Sequence, residues 1–298
     1  MLLLKQMLVL LVIMTIGYLA ARKDIVDEIT AGKLSDIIVK IANPALVLSG
    51  GMNADMEIGQ FFRIFLLAFT VFLTLIILSY LLVKCFKVPK EQSGIYRCIL
   101  IFSNIGFMGF PLVQAMYGEG AVLYASIFLI PFNILIYTFG RYQIKGRECK
   151  VDIRQICNTG VLACLIAVMI TLSGIKIPTA VKEVAEYLGD LTLPLSMIVI
   201  GASFTKMNQR DVTLDRKLNL FLAIKMLLLP VIFVIILKKL GITEPLLGVC
   251  MVMVATPAGS MNAMLAQGHL SAYGTATKAV AISSVCAVIT MPVVALFL

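Results

Sequence analysis

Apolar residues run in long blocks along the chain, separated by short polar stretches rich in Lys and Arg. The blocks cover about 2–21, 34–50, 60–83, 94–116, 120–140, 156–174, 180–204, 216–238, 244–266 and 271–297. Most approach the roughly 20 residues a helix needs to cross the hydrocarbon core of a bilayer. The pattern predicts an all-α polytopic membrane protein with ten transmembrane helices. The first block does not read as a cleaved signal peptide. It carries one early Lys, and Arg22 and Lys23 follow it directly, which is the wrong asymmetry.

Composition agrees. The chain of 298 residues is 60% hydrophobic and 14% charged, with a mean hydropathy of +1.01. A soluble globule needs about a quarter charged residues. Disorder, a collagen-like fibre and a disulfide scaffold are excluded on the same grounds. The net charge of +9 is spread between the apolar blocks, so no nucleic-acid face is expected. Counted by loop, the basic residues set the orientation. Arg22, Lys23, Lys33, Lys84, Lys87, Lys90, Arg141, Lys145, Arg147, Lys150, Arg154, Lys206 and Arg210 follow odd-numbered blocks, and Lys176, Lys238 and Lys239 follow even-numbered ones. The first set is read as cytoplasmic, which places both termini outside and the basic central loop, 141–155, inside.

That loop divides the chain into 1–148 and 149–298, five blocks each. Offset by 150 residues, Pro44 aligns with Pro194, Gly51 with Gly201, Gly109 with Gly259 and Gly118 with Gly268. A repeat of five crossings must re-enter the membrane upside down, and inverted repeats are a signature of secondary transporters. Blocks four and nine carry matched helix-breaking residues: Asn104, Gly106, Gly109 and Pro111 in one, and Thr256, Pro257, Gly259, Ser260 and Asn262 in the other. Each Pro lacks an N–H and clashes with the carbonyl four residues earlier, at Phe107 and Met253. Interrupted helices at corresponding depths point to a transporter's substrate site. Their half-helix N-termini suit an anion. Pro44 and Pro194 are expected to kink blocks two and seven.

Polar residues at depth extend the list. Asn133 either faces substrate or bridges helices, and Gln114 and Gln267 lie beside these blocks. Lys278, well inside block ten, reads as a counter-charge for an anion, a surrogate for a coupling cation, or the partner of Asp190 in an internal ion pair. Lys225 reads as a snorkelling lysine near the cytoplasmic end of block eight. Lys40 and Asp36 have the spacing of a helix-surface pair. Cys98, Cys157, Cys164, Cys250 and Cys286 read as buried free thiols, and His269 cannot build a zinc site alone. No enzyme or cofactor motif appears.

The stretch Asn104-Ile-Gly-Phe-Met-Gly-Phe-Pro111, continuing to Ala115-Met-Tyr-Gly118, resembles the auxin efflux carrier family of plant PIN-formed auxin carriers and bacterial permeases for malate, malonate and similar acids. Pro131-Phe-Asn133 resembles the bacterial branch, and Pro257-Ala-Gly-Ser-Met-Asn262 with Ala266 resembles the family's second crossing motif. The resemblance implies two inverted five-helix repeats with broken fourth and ninth helices crossing at mid-membrane. It implies a dimerising scaffold over about 2–50 and 156–204, and a transport unit over about 60–140 and 216–297 that moves as an elevator. Asn104, Pro111, Pro257 and Asn262 would be crossover and substrate residues. The short central loop favours the organic-acid branch, and Gly259-Ser260 departs from the plant pattern.

The expected protein is therefore a plasma-membrane secondary transporter and homodimer. It would move a small organic anion, malate- or malonate-like or auxin-like, with coupling to H+ or Na+ open. A cation/proton antiporter of related fold and a non-transporting membrane receptor are the alternatives.

Overall fold

The structure is a computed structural model that describes residues 2–146, 153–175, 177–206 and 215–298. Arg147, Lys150, Lys176 and Arg210 of the orientation count lie outside these residues. The fold is all-helical, and the described residues contain no named strand. In chain order the helices are α1 (Leu2–Arg22), α2 (Glu28–Asn53), α3 (Ile58–Cys85), α4 (Lys90–Ile101), α5 (Ile105–Tyr117), α6 (Glu119–Lys145), α7 (Thr159–Ser173), α8 (Thr179–Ser203), α9 (Arg216–Lys239), α10 (Leu246–Ala255), α11 (Met261–Ala266) and α12 (Leu270–Ala295). Six of them, α2, α3, α6, α8, α9 and α12, are long and apolar enough to cross a membrane. Shorter apolar helices fall in α1, α5, α7 and α10. The protein is a multi-pass membrane protein.

Capping marks several helix starts. The Asp27 carboxylate accepts from Thr30 N–H at 2.7 Å, and the Asn158 side chain accepts from Gly160 and Val161 N–H at 3.1 Å each. Three prolines leave a common signature further inside. Asn43, Phe110 and Leu229, each immediately before a proline, donate five residues back, to Ile38, Ile105 and Ile224. A widened π turn thus absorbs the ring of Pro44, Pro111 and Pro230, so the helix continues where an α-turn would clash. Pro194 follows a one-residue interruption of α8 at Leu191.

Helices approach closely where side chains are smallest. α1 lies along the second half of α8, with Gly17 against Ile198 and Gly201 against the Met14 carbonyl, and no room for a side chain at either glycine. α2 packs on α7, where Gly51 meets Ala167, and on α8, where Gly189 meets Leu46. α10 is apolar all round, and Leu247–Ala255 are all buried. A helix apolar on every side belongs in the centre. It packs between α6, α9 and α12. The outer faces of α1, α3 and α7 expose Val12, Ile16, Phe62, Leu66, Ile77, Leu162 and Met169, a surface suited to lipid.

The exposed pair Lys40–Asp36, at 2.9 Å, is as expected from its spacing. Cys98, Cys164 and Cys250 are buried free thiols, whereas Cys157, in the bend before α7, and Cys286, on α12, are exposed, against expectation.

Candidate functional site

α4 ends at Ile101 and α5 starts at Ile105; α10 ends at Ala255 and α11 starts at Met261. The residues between them meet. Ser103 and Ala258 form an antiparallel bridge: Asn104 N–H donates to the Pro257 carbonyl at 2.7 Å, and Gly259 N–H donates to the Phe102 carbonyl at 2.9 Å. This is the widely spaced kind of pair, in which facing residues come closest. In block four the non-helical residues are Phe102–Asn104, upstream of the glycines and Pro111 that the sequence singled out. Pro111 sits in the first turn of a regular helical stretch, where its missing N–H is no loss.

Backbone that leaves a helix inside a membrane protein must find other partners. Here side chains from three helices supply them. Asn262 of α11 donates its Nδ2 to the Phe102 carbonyl at 2.8 Å and to the Gly259 carbonyl at 2.9 Å. Ser283 of α12 accepts from Ala258 N–H at 3.0 Å. Lys225 of α9 donates its Nζ to the Thr256 carbonyl at 2.7 Å and to Ser103 Oγ at 2.9 Å. The Thr256 hydroxyl returns to the Met253 carbonyl at 3.4 Å, the group left without a helical donor by Pro257. Asn104 caps α5: its Oδ1 accepts from Phe107 N–H at 3.4 Å.

Two acceptors remain. Asn262 Oδ1 and Asn43 Oδ1 are buried without a protein partner. Both amides are oriented by their Nδ2 groups, which donate to carbonyls, Asn43 to Gly106 at 3.3 Å. On α8, which packs on the π turn of α5, the hydroxyls of Thr192 and Ser196 are also buried and unpartnered. Unmet buried polar groups are costly in an apolar medium, so each of these groups has spare capacity for a polar ligand.

The structure therefore brings Asn104, Thr256, Pro257, Gly259 and Asn262 together, with Gly106 and Gly109 on the adjoining π turn. Ser260 is exposed at the end of the paired segment. Asn133 is placed elsewhere: its Nδ2 donates to the Leu129 carbonyl at 2.8 Å and its Oδ1 accepts from Asn158 at 2.6 Å, so it bridges α6 to the capped start of α7. Lys278 is half-buried on α12, and Asp190, exposed on α8, accepts from Gln114 Nε2 at 2.9 Å. Lys225 is a lysine at the paired segments. Lys225 is 1% exposed and does not snorkel. No Asp or Glu among the described residues is buried, and no three or more His, Cys, Asp or Glu there are grouped as metal ligands.

Sequence reading assigned Lys225 to the membrane surface and did not single out Ser103, Ser283 or Asn43. Asn43 is the residue before Pro44. A second polar cluster also went unread. Glu119 of α6 accepts from Ser49 Oγ and Asn53 Nδ2 of α2, each at 2.6 Å, and Asn53 donates to Glu186 of α8 at 3.3 Å.

Comparison with known proteins gives a consistent picture. A family described as membrane transport protein matches residues 2–155 and 148–295. The uncharacterized transporter YfdV of Escherichia coli K12 is 22% identical over 300 residues, covering 96% of this chain and 95% of its own. An uncharacterized transporter of Methanocaldococcus jannaschii is 25% identical over 209 residues, covering 66% of this chain and 68% of its own. One from Methanothermobacter thermautotrophicus is 22% identical, over 74% of this chain and 75% of its own.

Proposed function

The chain belongs to the membrane transport protein family, the auxin efflux carrier family, and on that premise we propose that it is a secondary transporter of a small organic anion. The observation that carries this reading is the meeting of Phe102–Asn104 with Pro257–Gly259 beside a buried ammonium, with no buried carboxylate near it. A positive charge in a low-dielectric interior favours a negative ligand. Unpartnered Asn262 Oδ1 and Asn43 Oδ1, with the hydroxyls of Thr192 and Ser196, add groups suited to a hydroxylated or protonated part of such a ligand. The lack of a buried carboxylate among the described residues weighs against a cation/proton antiporter.

In this reading the ten apolar segments cross the plasma membrane as two inverted repeats, the termini lie outside, and the scaffold helices form a homodimer. The transport helices carry the paired segments across as an elevator. The close packing of α1, α2, α7 and α8 on one another supports a rigid scaffold.

Uptake into proteoliposomes tests the proposal, with malate, malonate and aromatic acids offered under imposed pH and sodium gradients. Accumulation of a small carboxylate, reduced by Asn104→Ala, is expected. If no anion accumulates and Asn104→Ala changes nothing, the reading fails.

A further inference from the structure

Lys225 is the charged side chain that the described part of the protein buries. It sits in the π turn Ile224–Leu228, just ahead of Pro230. An ammonium withdrawn from water normally needs a carboxylate partner. Among the described residues none lies within ion-pair distance of it. Its two partners are neutral oxygens, the Ser103 hydroxyl and the Thr256 carbonyl, one from each extended segment. Hydroxyl and unwound-backbone carbonyl oxygens are the groups that hold a hard monovalent cation in broken-helix transporters. Asn262 Oδ1, a further buried acceptor on α11, whose Nδ2 donates to the Phe102 and Gly259 carbonyls, has no protein partner.

We propose that Lys225 is a tethered cation: its ammonium occupies, between the two extended segments, the place where a free coupling cation would otherwise bind. The inference rests on the transport reading above and deepens it. A cation fixed to α9 neither arrives nor leaves during the cycle. It holds the segments together at every stage and offers constant compensation to an anion, so transport does not depend on sodium. Removing the side chain would open a site lined by Ser103 Oγ and the Thr256 carbonyl. A small free cation would fill that site, whereas an apolar side chain of similar length would block it.

The test compares wild type, Lys225→Ala and Lys225→Met, by anion uptake into proteoliposomes and by thermal unfolding in detergent. Each is measured in choline, sodium and methylammonium chloride at fixed pH and ionic strength. Wild-type uptake and Tm are expected to be the same in all three salts. Lys225→Ala should lose about tenfold or more of its uptake in choline. It should regain uptake, and gain Tm, in sodium or methylammonium, because a cation that binds only the folded state stabilises it. Lys225→Met should lose uptake with no such rescue. The proposal is overturned if wild-type uptake requires sodium, if Lys225→Ala keeps wild-type uptake in choline, or if neither cation restores it. Failure of Lys225→Ala to fold in every salt also overturns it. If wild type carries no organic anion, the transport reading falls separately. The melting arm then decides: a cation-dependent rise in Lys225→Ala that wild type lacks upholds the tethered cation, and its absence refutes it.

Discussion

Gly259 lies so close to Ser103 that a Cβ built on it would stand 3.0 Å from the Ser103 carbonyl oxygen and 3.2 Å from that of Phe102. Both are backbone atoms of the opposing segment, held by the Gly259 N–H and Asn262 bonds, and neither can swing aside as a side chain would. Gly259→Ala must therefore push the segments apart, at about 1–3 kcal/mol. Gly109→Ala makes a control. Its Cβ would meet the Met253 methyl at 3.0 Å, the end of a flexible side chain. Thermal unfolding in detergent should show a clear loss for the first and little for the second. Equal melting temperatures for the two variants would refute the rigid pairing.

Asn262 separates ligand binding from folding. Its Nδ2 supplements carbonyls that keep other donors, since Phe102 accepts from Gly259 N–H and Gly259 accepts from Asn262 N–H. Its Oδ1 meets nothing in the protein. Asn262→Ala should then cost only about 0.5–1.5 kcal/mol of stability. Uptake should fall about tenfold or more if the free acceptor serves substrate. A loss of stability with uptake unchanged would make Asn262 purely structural.

The all-helical, multi-pass class was legible because apolar blocks of membrane length are hard to mistake, and six of the described helices are long and apolar enough to cross a membrane. The family motif at Asn104–Pro111 adjoins the residues that pair with Pro257–Gly259. What the sequence could not show was side-chain facing. Lys225 lies early in an apolar block, a normal place for a lysine that reaches back to water. The π turn Ile224–Leu228 inserts an extra residue and rotates the downstream helix by about 100° relative to a regular one. Proline was misleading in block four for the same reason. The wider turn absorbs Pro111, and the backbone leaves the helix at Phe102–Asn104, where no Gly or Pro marks it. Lys278 and Asn133 stood out as polar groups in apolar blocks, yet such groups are as readily used to join helices, as Asn133 is.

Asn133 should accordingly behave as a structural residue. Its Oδ1 holds Asn158 Nδ2 at 2.6 Å, which leaves Asn158 Oδ1 aimed at Gly160 and Val161 N–H. Asn133→Ala frees that cap, and losing a cap is worth about 0.5–2 kcal/mol. The melting temperature should fall while the KM for the transported anion stays within about twofold. A large rise in KM without loss of stability would return Asn133 to the substrate site.

The cluster of Ser49, Asn53, Glu119 and Glu186 makes a claim about motion. Glu119 begins α6, whereas Ser49 and Asn53 end α2 and Glu186 lies on α8. If α6 moves with the transport helices and α2 and α8 stay with the scaffold, the two 2.6 Å bonds to Glu119 exist in one state and break in the other. A charge-assisted bond is stronger than a neutral one, so Glu119→Gln should weaken the state seen here. A double-mutant cycle of Ser49→Ala with Glu119→Gln should give a coupling of about 0.5–3 kcal/mol in thermal unfolding, because the pair is in direct contact. The same Glu119→Gln variant should shift the balance between inward and outward accessibility, read by labelling a single introduced Cys from either side of the membrane. Coupling in stability without any change in accessibility would show that these bonds persist through the cycle and that α6 moves together with α2.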